Sequence, residues 1–168
     1  HDLSGRGGFV TRLDKATGKP ANACTPLWDA RYGGFTMAQV GMMCVARYDN
    51  TGKVGHRDLI TNAANAYLKS APPAEVDVWP MTLGHAIGLQ LAAWRHTAQA
   101  EYLQRARELG MLALDTYWRK SLLPAAGSKQ DHYETITGAD TLALALVELH
   151  LQILHITAVV CPPNEADR

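Results

Sequence analysis

The sequence predicts an all-α chain of packed helical hairpins behind an irregular amino-terminal arm. Three observations carry this. Ala, Leu, Met and Gln dominate the middle and end of the chain, while β-branched residues are scattered, so strand signals are weak. Apolar residues recur at helical spacing between Gly- and Pro-rich breaks. Three of the segments so delimited open on one shared pattern. With 168 residues, 47% of them apolar, the chain can bury one core and is short for two. We therefore read it as a single domain: an arm over 1–34, hairpins over 35–160 and a tail over 161–168.

The arm carries Gly5, Gly7, Gly8, Gly18 and Pro20 with little periodicity. A first helix is expected over 36–48, stopped by the turn chemistry of Asp49, Asn50, Thr51 and Gly52. A second is expected over 56–70, with Leu59, Ile60, Ala63, Ala64, Tyr67 and Leu68 on one face, ended by Pro72 and Pro73. The third is expected over 82–96. The fourth, over 98–118, has a stripe of Tyr102, Leu103, Ala106, Gly110, Ala113, Leu114 and Tyr117. A loop over 124–129 follows. The last helix is expected from 137 to 159 or 160. The run from Leu142 to Leu146 alternates like a strand, but its Ala and Leu are helix formers, and Glu148, Gln152 and His155 make a helical polar stripe. That helix is apolar almost all round, so burial on several sides is expected, with His150 and His155 as packing histidines.

The shared pattern is an apolar residue, Thr, any residue, a small residue and a polar one. It occurs as Phe35 to Gln39, Met81 to His85 and Ile136 to Asp140. Thr is a good N-cap, and Gln39 completes a strict capping box. Behind each cap stand similar cores: Val40, Gly41, Met42; Ile87, Gly88, Leu89; Leu142, Ala143, Leu144. The small residues allow close helix approach. The implied repeat is a helical hairpin of roughly 45 to 55 residues. Capped apolar helices would form an inner layer and amphipathic ones an outer layer. Over residues 28–160 this resembles the (α/α) toroid folds, such as the six-hairpin glycoside hydrolases and polysaccharide lyases. A complete six-hairpin ring needs about twice this length, so the resemblance implies an incomplete toroid or an open hairpin array. It also implies a site at the end where the inner helices begin.

Composition excludes several functions. Sixteen Lys and Arg balance sixteen Asp and Glu, so neither a nucleic-acid nor a membrane partner is expected. Cys24, Cys44 and Cys161 have no metal-ligand spacing; one disulfide plus a thiol, or three thiols, both fit. There is no HExxH, EF-hand, phosphate loop, dinucleotide fingerprint or GxSxG, so neither a metal nor a cofactor is expected.

The loop before each capping Thr carries an acid and an aromatic. The first holds Trp28, Asp29, Arg31 and Tyr32; the second Asp77 and Trp79; the third Asp131, His132, Tyr133 and Glu134. If the repeat holds, these loops share one rim, where helix N-termini also favour an anionic group. Aromatic faces stack on pyranose C–H surfaces, and carboxylates accept sugar hydroxyls. Opposed carboxylates suit glycoside hydrolysis. A His132 or Tyr133 base with Arg31 neutralising a uronate suits β-elimination. Structural roles compete: Asp29 and Asp77 as turn caps, Trp28 and Trp79 as core anchors, His85 as a cap. The leading expectation is a carbohydrate-active domain binding, and cleaving, a polysaccharide or oligosaccharide. The cysteines leave the compartment open, and a carbohydrate-active role would favour a secreted or periplasmic one. The alternative is a non-catalytic helical-repeat module that docks a partner chain, or a second copy, to complete a toroid.

Overall fold

A computed structural model describes residues 9–21, 24–30, 32 and 34–156, and its regular structure is helical, in five α-helices and one short 3-10 turn. Helix α1 (Met37–Thr51) begins where Thr36 accepts the Gln39 N–H on Oγ1 at 3.3 Å, the cap read from the sequence. Gly52 ends it at a left-handed φ of 63° and returns its N–H to Tyr48. The helix thus runs three residues past the expected stop, because the glycine, and not Asp49 or Asn50, supplies the left-handed geometry. Only Gly52 and Lys53 separate it from α2 (Val54–Leu68), which folds back against it.

Helix α3 (Pro80–Thr97) starts two residues before the expected cap. Pro80 takes the first helical position, where its fixed φ fits and its missing N–H costs nothing. Thr82 therefore lies inside the helix and is not a cap. Ala98, left-handed at φ 58°, and Gln99 lead into α4 (Ala100–Tyr117). A 3-10 turn (Thr135–Thr137) precedes α5 (Ala139–Ile153). Thr137 is not a cap either: its Oγ1 donates to the Glu134 carbonyl at 2.9 Å, and Gly138 takes the N-cap position at φ 72°.

Helices α1, α3 and α5 form one row, with α3 between the other two; α2 and α4 form a second row across it. Every residue of α3 from 82 to 93 is buried. Gly84 brings α5 closest, since a Cβ there would lie 2.8 Å from the Leu142 nitrogen. The close approach expected at Ala143 is absent, because Ala143 faces outward. Around α3 pack Ile60, Tyr67, Leu109 and Leu142, each fully buried. Each such side chain contributes about 1.5–3 kcal/mol relative to exposure.

Core tyrosines find partners for their hydroxyls. Tyr67 donates to the Leu27 carbonyl at 2.7 Å and accepts the Ala38 N–H at 3.0 Å. Tyr102 donates to Asn65 Oδ1 and Tyr117 to the Val78 carbonyl. Arg105 of α4 reaches the Tyr67 and Ser70 carbonyls, satisfying the C-terminal end of α2.

Further expectations for α4 and α5 need correction. In α4, Leu109 joins the core while Leu114 is exposed. Helix α5 ends at Ile153, well short of 159, because His155 turns left-handed (φ 54°) and the His155 and Ile156 N–H groups bond back to Gln152 and Leu151. This is a Schellman termination. Helix α5 also buries only one face, through Ala139, Leu142, Ala145 and Leu149. Val147, Ile153 and Leu154 are exposed, and so are His150 and His155, which are not packing histidines.

In the arm, isolated antiparallel bridges join Val10 with Cys24 and Leu13 with Pro20. Asp14 closes the turn by accepting the Ala16 and Thr17 N–H groups. Cys24 and Cys44 carry free thiols, and Cys161 lies outside the described residues. Among the described residues no helix is long and apolar enough to cross a membrane.

Candidate functional site

The starts of α1 and α3 and the turn before α5 meet around a pocket of about 240 Å³. Tyr32 and Phe35 come from the first loop, Trp79 from the second, Met81 from the first turn of α3, and Ile136 from the 3-10 turn. Thr36 and Gln39 of α1 and Thr82 and His85 of α3 supply its polar groups. Three helix-start segments thus meet at this pocket, and of the side chains expected there only Tyr32, Trp79 and His85 line it. None of the described lining residues is charged.

The α1 start offers no free donor to an anion. The Met37 N–H bonds to the Pro26 carbonyl, the Ala38 N–H to the Tyr67 hydroxyl and the Gln39 N–H to Thr36. The amides that an anion would use are already satisfied.

The expected site residues divide into three groups. Tyr32, Trp79 and His85 line the pocket. Tyr32 is 83% exposed and Trp79 half-buried, so both rings have free surface. His85 is the sixth residue of α3 and is buried, so it is not a cap. Burial lowers its pKa to about 4, which keeps the ring neutral near pH 7.

A second group is structural. Trp28 is only 3% exposed, donates Nε1–H to Ser70 at 2.8 Å and meets Tyr67 edge-on, so it has no face to offer a ligand. Asp77 accepts the Lys129 N–H at 2.9 Å and the Gln130 side-chain amide at 3.3 Å, tying the second loop to the third. It lies so close under Gly127 that a Cβ there would collide with its carboxylate. Asp29 is half-buried and lines an adjoining pocket with Cys24 and Phe35.

The third group stands on the exposed surface of the last loop, outside the pocket lining. Asp131 pairs with Lys120 at 2.6 Å and Arg119 at 3.4 Å, and the Lys120 contact holds its carboxyl below the usual range. His132 Nε2 lies 2.7 Å from Glu134 Oε1, a His–carboxylate pair two residues before the pocket wall at Ile136. The Tyr133 hydroxyl accepts from Thr135 at 3.4 Å. Arg31 lies outside the described residues. Among the described residues, no group of three or more His, Cys, Asp or Glu side chains could hold a metal ion.

Of the polar lining residues, Thr36, Gln39 and Thr82 read in the sequence only as parts of helix caps. The Trp79-Pro80 pair was the available signal. Proline at the first helical position moves Thr82 to the third and turns its side chain inward.

The fold and site define an all-α helical-hairpin domain with a pocket at its helix-start end. Compared with protein-family models, curated proteins and solved structures, the chain matches none of them.

Proposed function

We propose that this chain is a segment of an (α/α) toroid and that its helix-start pocket binds a sugar unit of a polysaccharide. The observation that carries the reading is the meeting of Tyr32, Trp79 and His85 in one pocket at the ends of two hairpins. Exposed aromatic faces beside uncharged polar groups match a pyranose, which has apolar C–H faces and a hydroxyl edge.

Binding is better supported than hydrolysis. Asp77 and Asp131 are engaged by other groups, and no described lining residue is a carboxylate, so the opposed pair of a glycosidase is missing from the pocket. For cleavage, the proposal assigns proton transfer to His132, oriented by Glu134.

The test is calorimetric binding and reducing-end release across neutral and acidic polysaccharides. Micromolar to millimolar binding that Trp79→Ala weakens at least tenfold is expected. Folded protein that neither binds nor cleaves any of them would reject the reading. Full cleavage by His132→Ala would remove His132 alone.

One observation favours the non-catalytic alternative: the outward face of α5 exposes Val147, Ile153 and Leu154. A docked chain would cover such a face. Light scattering that reports a concentration-dependent oligomer would support that reading.

A further inference from the structure

Thr82 has an unusual place among the threonines of these helices. Thr51, Thr61 and Thr97 each donate their hydroxyl to the carbonyl four residues back. For Thr82 that acceptor is the Val78 carbonyl. It already accepts the Tyr117 hydroxyl at 2.9 Å and the Ser128 N–H at 2.9 Å. Both lone pairs are used. The Trp79 carbonyl, three residues back, accepts the Thr82 N–H. Thr82 Oγ1 is consequently buried without a hydrogen-bond partner among the described residues, and Thr82 lines the pocket.

His85 follows one turn later on the same helix, buried and on the same pocket wall. Burial is the sole perturbation acting on its ring, and no protein group hydrogen-bonds it among the described residues. Two buried polar residues at i and i+3 thus line one pocket, and neither has a hydrogen-bond partner among the described residues.

We infer that Thr82 and His85 form the hydrogen-bonding floor of this pocket and take the hydroxyl groups of one neutral sugar ring. The inference rests on the carbohydrate reading above and narrows it. Neutrality follows from the lining, which has no charged side chain among the described residues. A neutral imidazole offers one donor and one acceptor, and a threonine hydroxyl offers both, which is how sugar hydroxyls pair. A single ring follows from the volume. About 240 Å³ is below the roughly 300–1,000 Å³ of pockets that hold larger ligands. Trp79 and Tyr32 flank the floor and supply the stacking surface.

The test uses the full chain with glucose, galactose, mannose and galacturonate as separate probes. The readouts are the ¹⁵N-labelled histidine ring signals, calorimetric affinity and the melting temperature. The expected result has four parts. A neutral sugar shifts the His85 ring signals. Thr82→Val and His85→Leu each lower its affinity tenfold or more. Thr82→Val melts at or above the wild-type temperature, since no hydrogen bond within the protein is lost. Galacturonate binds more weakly than the neutral sugar.

Unchanged affinity in Thr82→Val and His85→Leu, alongside loss in Trp79→Ala, would overturn this inference and leave the pocket reading standing. A clear drop in the melting temperature of Thr82→Val would overturn it too, because the hydroxyl would then have a structural partner. Tighter binding of galacturonate would overturn the neutral-ring assignment. No response from folded wild-type protein to any probe would overturn both the inference and the reading beneath it.

Discussion

Replacing Gly84 with alanine tests whether backbone contact between α3 and α5 sets the packing of the first row. A Cβ at Gly84 would lie 2.8 Å from the Leu142 nitrogen, 2.9 Å from its Cα and 2.9 Å from the Thr141 carbonyl carbon. All three are main-chain atoms, so no rotamer change relieves them. Helix α5 must retreat by about 0.5 Å, loosening Leu142 and its buried neighbours against α3. Overpacking of this kind costs about 3 kcal/mol at the upper end of its usual range, and the better helix propensity of alanine returns about 1 kcal/mol. The net loss is about 2 kcal/mol, a fall of roughly 4–8 °C in melting temperature for a domain of this size. Gly55→Ala is the control. Gly55 lies in α2 with nothing within 4 Å of its Cβ position. The same chemical change there should raise stability by about 0.4–1 kcal/mol. Both variants are read by circular dichroism melts and urea titration. Gly84→Ala melting at or above the wild-type temperature would refute the backbone-contact reasoning.

Two further outcomes follow from helix-end geometry and burial. His155→Gly should stabilise the protein by about 1 kcal/mol in urea titrations, since φ 54° strains an L-residue and suits glycine; a loss of stability would show that the imidazole makes a needed contact. The His85 pKa, lowered from 6.5 to about 4 by burial, fixes a sign. The unfolded chain binds this proton more readily, so the contribution is full above pH 6.5 and is lost as pH falls towards 4, by at most roughly 3 kcal/mol. His85→Gln should flatten the stability profile over that window, and parallel profiles for the two proteins would disprove the burial effect.

The helical hairpins were legible because apolar periodicity and Gly or Pro breaks are local signals. Thr36 was legible as a cap for the same reason. Thr82 and Thr137 were not, because Pro80 begins one helix early and Gly138 closes a 3-10 turn before the other. Both signals stand in the sequence but compete with an equally good threonine. The meeting of the helix-start loops followed from repeat logic. Which carboxylates remain available did not, because Asp77 is claimed by Lys129 and Gln130, more than fifty residues away. Nor does sequence reveal that Tyr117 and Ser128 both occupy the Val78 carbonyl, which leaves the Thr82 hydroxyl without that acceptor. Apolar content overstated the burial of α5, since it measures what could be covered and not what neighbours cover.

The central position of α3 bears on how the protein comes apart. In an extended repeat array each unit touches only its neighbours, and ends fray while the middle persists. Here all four other helices lean on α3, and neither hairpin can detach without exposing it. Local opening should therefore be confined to the arm and the outer faces of α2 and α4. The amides of α3 from 82 to 93 have no partial route to solvent, so their protons should exchange only when the whole molecule opens.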